Sequence, residues 1–381
     1  MDAKAVTVQS AQLSAVSGLV FDSEAMLQGL RPWVECASPT YDAAAVNRAM
    51  EMVGRDFFLA GGHVERIPGR MGFGDCLRIT FPHPRAGQPG FLILGHMDTV
   101  GLPVPWRREG PYCWGPGIAD MKGGVFLSLE AIRQLRRASI ATPLPVTVLL
   151  TSDEEVGSPS TRDLIEAEAG RQSYVLIPER GRDGGLVTGR YAIARFRIKA
   201  LGTSTHAGHS ATRANGRSAI REMIEKIAQI ESMTCENYTF SVGVLHGGQW
   251  VNCVPHECTG EVLSMAKRQA DLDQAISRML ALSSPSFVVS LDVVRPVWEA
   301  DARTMALYEH ARTLAQLFGY DLAHQSSGGG SDGNFTGAMG IPTLDALGAK
   351  GTNVHTLDEH IEVASLAERA RLMAALLATL Q

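Results

Sequence analysis

The stretch Ile93–Val100, ILGHMDTV, ends an apolar run with a histidine and an aspartate two residues apart. Its first part, within FLIL (Phe91–Leu94), reads as a short strand buried on both faces, as in a parallel sheet. Residues two apart at a strand end point to one side, so His96 and Asp98 share a face at the C-terminal edge. That edge is where open α/β sheets bind ligands. Taken alone, the pair also fits a histidine satisfied by a neighbouring carboxylate.

Two further apolar runs, PVTVLLT (Pro145–Thr151) and SYVLIP (Ser173–Pro178), carry the same signature. Between them and the first, Met121–Arg137 reads as a helix with Val125, Leu129 and Ile132 on one face, widened by Phe126 and Leu127. Upstream, Ser23–Cys36 is amphipathic, and Thr40 or Asp42 offers an N-cap to a second helix. Alternation of strand and helix implies a three-layer α/β domain with a largely parallel sheet.

The texture changes at Tyr191. YAIARFRIKALG (Tyr191–Gly202) alternates apolar and charged residues with period two, the mark of a sheet with one wet face. A helix at about Arg217–Glu231 would turn Ile220, Ile224 and Ile227 inward and Arg221, Glu222, Glu225 and Lys226 outward. With TFSVGVLHGG and SFVVSLDVVRP it forms a β-α-β-β-like set. Residues 191–297 therefore read as an inserted α+β domain, and 1–190 with 298–381 as the domain that hosts it.

Composition narrows the function. At 381 residues the chain is too long for one ordinary core. A net charge of −5 gives no basic footprint, so no nucleic-acid partner is expected. No run approaches the eighteen or so apolar residues of a membrane span. The N-terminal stretch MDAKAVTVQSAQLSAVSGLVFDSEA lacks a basic region followed by a clean apolar one, and is read as mature sequence of a cytoplasmic protein. The six cysteines (Cys36, Cys76, Cys113, Cys235, Cys253, Cys258) contain no C-x-x-C pair and read as reduced core residues.

Acids and histidines then recur after the strands. GPGIADMKGG carries Asp120 just before a helix, where an N-cap aspartate is the plainer alternative. LLTSDEEVGS places Asp153, Glu154 and Glu155 directly after a buried strand; adjacent side chains diverge, so one glutamate can bind metal while the other faces substrate. IPER adds Glu179, and GTNVHTLDEHIEV adds His355, with Asp358 and Glu359 close behind. His96, Asp120, Glu155, Glu179 and His355 make a nitrogen and oxygen donor set without thiolate, which suits zinc, with cobalt or manganese as substitutes. One bridging carboxylate and two ligands per ion make a two-metal site, which leaves a bridging water as nucleophile. Such a site also needs a general base that is not itself tied to metal.

Taken in order, GHMDTV, GPGIADMKGG, TSDEEVGS, THAG, GGGSDGN and HTLDEHIEV resemble the dinuclear zinc aminoacylase and carboxypeptidase family. That family includes carboxypeptidase G, succinyl-diaminopimelate desuccinylase and acetylornithine deacetylase-like metallopeptidases, and the resemblance covers nearly the whole chain. It implies a zinc-exopeptidase-like catalytic domain with an inserted ferredoxin-like lid that also dimerises. Two zinc ions per chain and hydrolysis of an N-acyl amino acid, dipeptide or similar amide are implied with it. His96 and Glu179 would bind one ion, Glu155 and His355 the other, with Asp120 between them. Asp98 would hold and polarise His96, and Glu154 would be the general base. His206 in THAGHS would reach a partner's active site and stabilise the oxyanion. Asn252 in WVNCVP would bind substrate, Gly329 would lie in the loop lining the substrate cleft, and Arg295 in VVRPVW is a candidate for a substrate carboxylate. His209 has no matching role and reads as a surface histidine.

The pattern departs from that family in the substrate pocket. Where relatives carry Asp-x-Arg, with an arginine for the substrate's α-carboxylate, this chain has Leu263 and Met265. Glu179 sits in IPER rather than Glu-Pro, and Tyr191-Ala192 replaces Lys/Ser-Gly. Hydrolysis or deamination of a small non-peptide substrate lacking that carboxylate is therefore a second expectation. A non-catalytic binding protein on the same fold is the rival of another class, and the presence of Glu154 and every proposed ligand argues against it. No H-E-x-x-H helix marks a single-zinc peptidase of another fold.

Overall fold

The computed structural model describes residues 14–181, 184–208 and 216–381, which leaves His209 outside the described residues. The chain divides into two compact units, one of residues 14–189, 299–326 and 331–381, the other of residues 190–298 and 327–330.

The larger unit is built on a six-stranded sheet in the order His63–Ile67, Cys76–Thr80, Val146–Thr151, Phe91–His96, Tyr174–Leu176, Thr343–Leu344. The last four strands run parallel to one another, and the first two form an antiparallel edge. Phe91–His96 and Val146–Thr151 are buried at every position, as strands covered on both faces must be. His96 pairs in register with Thr151. The residues that follow these strands therefore emerge side by side at one sheet edge.

Helices follow where apolar spacing and caps agree. Ser23–Glu35 starts on Asp22, whose side chain accepts the N–H of Glu24 and Ala25, and Ala43–Leu59 starts on Asp42, which accepts from Ala45. Gly123–Arg137 packs with Ser23–Glu35 and Ala364–Thr379 over a core that includes Trp33, Phe126 and Leu376. The fold is α/β, a layered unit of helices on a largely parallel sheet, with an inserted α+β unit.

The inserted unit is a four-stranded antiparallel sheet in the order Tyr238–Gly247, Glu257–Ala266, Ala192–Leu201, Phe287–Arg295, with helices Ala219–Ser232 and Gln269–Leu280. This is the β-α-β-β-α-β arrangement; the second helix completes the set that the sequence suggested. Arg190 and Trp298 exchange backbone hydrogen bonds, and Tyr191 N–H donates to Ser327 O. The unit therefore begins one residue earlier than expected, ends one later, and takes in 327–330.

Two expectations about packing are corrected. Ile224 is 58% exposed, because Ala219, Met223 and Ile230 form the inward stripe and Ile220 and Ile227 only flank it. Cys235 and Cys253 are exposed rather than in a core, while Cys76, Cys113 and Cys258 are buried and all six are free thiols. No helix among the described residues is long and apolar enough to cross a membrane.

Candidate metal centre

The sheet edge gathers the predicted ligands. His96 ends its strand; Glu154 and Glu155 open a short 3₁₀ turn after Val146–Thr151; Glu179 follows Tyr174–Leu176. Asp120 comes from the tight turn Ile118–Lys122, entered through Gly117 at φ 68, which favours glycine. His355 comes from the loop after the short strand Gly351–Thr352 and sits at φ 61, a left-handed conformation that a non-glycine residue holds only where its surroundings impose it.

Asp120 lies between two groups. Its Oδ1 is 3.1 Å from His96 Nε2 and its Oδ2 is 3.3 Å from His355 Nε2. His96 Nε2 is also 3.6 Å from Glu179 Oε1 and 3.9 Å from Glu154 Oε2, and His355 Nε2 is 2.9 Å from Glu155 Oε2. His96, Asp120 and Glu179 each offer a donor atom within 4.8 Å of the others, and so do Asp120, Glu155 and His355. Glu154 belongs to neither triad.

Electrostatics say what such a site can hold. Burial pushes the Glu179 carboxyl up to about 7, with the Asp120 charge adding to it. Burial and Asp120 likewise raise Glu155. Asp120 resists its burial because hydrogen bonds from His355 and His96 hold it well below the carboxylate range. The His355 imidazole is drawn up to about 11 by Asp120 and then Glu155. Asp120, Glu154, Glu155 and Glu179 thus crowd round two imidazoles, an excess of negative charge that divalent cations would neutralise. The donors fit zinc in chemistry and number.

Around the triads sit residues that hold them. Asp98 lies within 3.4 Å of His96 Nδ1 through its carboxylate, but the nearer partner of that nitrogen is the Asp98 backbone carbonyl at 2.9 Å. Its carboxylate is spread further, accepting from Thr40 Oγ1 at 2.9 Å and from the N–H groups of Glu154 and Glu155 at 3.3 Å each. Glu359, 6% exposed, accepts the N–H groups of Gly117, Ala119 and Asp120 and so pins the turn carrying Asp120. Sequence spacing placed Glu359 near the site without giving it work. Asp358 turns away to accept from Trp114 Nε1 and Asn353 Nδ2.

Two glycines fix Glu179 by leaving room. A Cβ on Gly124 would lie 1.7 Å from Pro178 O; one on Gly348 would lie 2.3 Å from the same oxygen and 2.7 Å from Glu179 O.

The inserted unit brings its own candidates together. His206 and Cys253 form a β-bridge, Ala207 N–H donates to Asn252 O, and Val254 N–H donates to Thr205 O. Gly208 N–H donates to His206 Nδ1, so a neutral ring carries its proton on Nε2. Met265 and Arg295 both pair with Ile193 in register, which puts all three on one face of the sheet. Arg295 is 4% exposed and lies against Gly330. Gly329, expected in a cleft-lining loop, has its carbonyl held by Arg190 Nη1 at 2.6 Å. The next residues of that loop, Ser331 and Asp332, are buried and bond inward.

Residues 92–379 match Peptidase family M20/M25/M40. The chain is 28% identical over 308 residues to Carboxypeptidase G2 of Pseudomonas sp. (strain RS-16), spanning 76% of this chain and 74% of that protein. Acetylornithine deacetylase of Myxococcus xanthus is 26% identical over 267 residues, 61% of this chain and 66% of that one. Among solved structures, the dipeptidase Dug1p from Saccharomyces cerevisiae has the same fold, with a TM-score of 0.76 at 14% identity over 97% of this chain and 98% of that one.

Proposed function

Because the chain belongs to peptidase family M20/M25/M40, and is a hydrolase of carbon–nitrogen bonds, we propose that it cleaves an amide, of an N-acyl amino acid, a dipeptide or a carboxypeptidase G-like substrate, with two zinc ions. The observation that carries this reading is the pair of donor triads sharing Asp120. His96, Asp120 and Glu179 hold one ion and Asp120, Glu155 and His355 the other; cobalt or manganese can substitute. Bound there, the ions supply Lewis acidity that polarises the amide carbonyl and acidifies the attacking water.

The chain supplies the rest. Glu154, 3.9 Å from His96 but part of neither triad, takes a proton from the water and returns it to the departing amine. Asp98 orients His96 and steadies the Glu154–Glu155 turn through the bonds already described. His206 offers its Nε2–H to the oxygen that gains negative charge. Asn252 binds substrate beside it, Gly329 lies along the bound ligand, and Arg295 meets a carboxylate.

The inserted unit acts as a lid and pairs with a second copy of the chain. Supporting this, Tyr238–Gly247 lies at the edge of its sheet and exposes Val244 and Leu245, while the helix that packs on that strand exposes Ile224. An apolar sheet edge is a template for pairing. Six free thiols fit the reducing cytoplasm. A second reading, a small non-peptide amide without the α-carboxylate, is favoured by Met265 beside Ile193 where an arginine fork would otherwise stand.

The test is metal removal on a panel of N-acyl amino acids, dipeptides and aryl amides. Chelation should abolish turnover, and zinc or cobalt should restore it. Full activity with fewer than one tightly bound divalent ion per chain would overturn the proposal.

A further inference from the structure

Asp332 belongs to the glycine-rich stretch GGGSDG, yet it is 3% exposed. One of its carboxylate oxygens accepts the Ser158 hydroxyl, and the other accepts the Thr151 hydroxyl at 3.3 Å. Those two residues bracket the turn that carries Glu154 and Glu155. Thr151 is the last residue of the strand Val146–Thr151, and Ser158 closes the turn, its N–H donating to Asp153 O at 2.9 Å.

The turn is not relaxed. Gly157 has φ 97 and Ser158 has φ 57, and Ser158 is fully buried. A side chain in that region persists where contacts over-determine it, and such positions gather at functional sites. Within the same turn Asp153, 0% exposed, accepts the N–H of Ser160 at 2.7 Å and the Thr161 hydroxyl. On the opposite side Asp98 accepts the N–H groups of Glu154 and Glu155. Burying carboxylates is costly unless hydrogen bonds repay it. Here Asp98, Asp153 and Asp332 all direct bonds to one short segment.

We propose that Asp332 is a positioning residue, which fixes both ends of the Glu154–Glu155 turn through Thr151 and Ser158 and so sets where Glu155 meets its metal. The inference rests on the reading of Glu155 as a ligand. It gives Asp332 an inward task, separate from the cleft-lining role proposed for Gly329 in the same stretch.

Zinc titration against a competing chelating dye tests it without substrate, on the full chain. Glu155→Gln identifies which of the two zinc-binding steps depends on that carboxylate. Asp332→Ala should weaken the same step by about 10–100-fold, the usual cost of removing a group behind a ligand, and leave the other step unchanged. Asp332→Asn keeps an acceptor for one hydroxyl and a polar partner for the other, and should recover most of the loss. Ser158→Ala, a milder change that decides the matter if Asp332→Ala does not fold, should weaken that step by a smaller factor. Unchanged zinc binding in folded Asp332→Ala or Ser158→Ala, or equal weakening of both steps, would overturn the proposal. If Glu155→Gln itself leaves both steps intact, the metal assignment fails instead.

Discussion

The carboxylate of Glu359 accepts the backbone N–H of Asp120 at 3.1 Å, so the position of the aspartate that both donor triads share is set by a residue near the C-terminal end of the chain. Burial pushes the Glu359 carboxyl up to about 7, the Asp120 charge adds to it, and the N–H donors only partly oppose the rise.

That shift has a consequence for stability. Glu179 and Glu359 both rise from an ordinary 4.5 to about 7 in the folded chain. A carboxyl raised on folding stabilises the fold fully below its unfolded value and loses that contribution as pH rises through the folded one. The metal-free protein should therefore melt at lower temperature as pH climbs from about 4.5 to about 7. Each pKa unit carries about 1.4 kcal/mol, enough to be seen in a melting curve. Zinc, which stabilises the ionised carboxylates, should flatten the trend. Melting temperatures in chelator and in zinc across that range check it; a rising curve in chelator would contradict the assignment.

Glu154→Gln should keep zinc content and fold while lowering kcat by about 10²–10⁴-fold, the usual cost of losing a general base. Loss of metal from this variant would mean that Glu154, not Glu155, is the ligand.

His206→Ala and Glu154→Gln chains, each nearly inactive alone, should recover part of the activity when mixed as heterodimers. In the proposed pairing, one composite site regains both groups. Verified heterodimers without recovery would show that His206 serves its own chain or does no chemistry.

Met265→Arg should improve hydrolysis of N-acyl glutamate or aspartate and weaken the native substrate. A guanidinium fork on a carboxylate contributes about 1.5–3 kcal/mol. Met265 and Arg295 are two strand spacings apart on one face, roughly 10 Å, so the added arginine would create a second charge rather than duplicate the first. Strong use of a free carboxylate by the native enzyme, abolished by Arg295→Ala, would show that Arg295 already does this work.

The donor cluster was legible in part because His96, Glu155 and Glu179 follow apolar strands, and parallel pairing then brings those strand ends together. His96 in register with Thr151 is the clearest case. What stayed hidden were buried carboxylates whose partners are backbone N–H groups or hydroxyls. Glu359 and Asp332 do their work by accepting N–H and hydroxyl donors, and no spacing rule marks a carboxylate for that. The helix Gln269–Leu280 was missed because Arg268 gives it no side-chain cap. Ile224 was turned inward because three isoleucines trace a helical stripe; Ala219 and Met223 take the inward places, which tilts that stripe off the core.

The crowding at Pro178 sets which changes the molecule can absorb. Gly124 and Gly348 press on the backbone just before Glu179 and at its carbonyl, so even a single added methyl must displace main chain. A saturation scan would then show an asymmetry: many nearby apolar positions would accept trimming, while alanine at 124 or 348 would act like a lesion in the ligand itself. Libraries built to retune substrate choice should diversify the inserted unit and leave those two sites untouched.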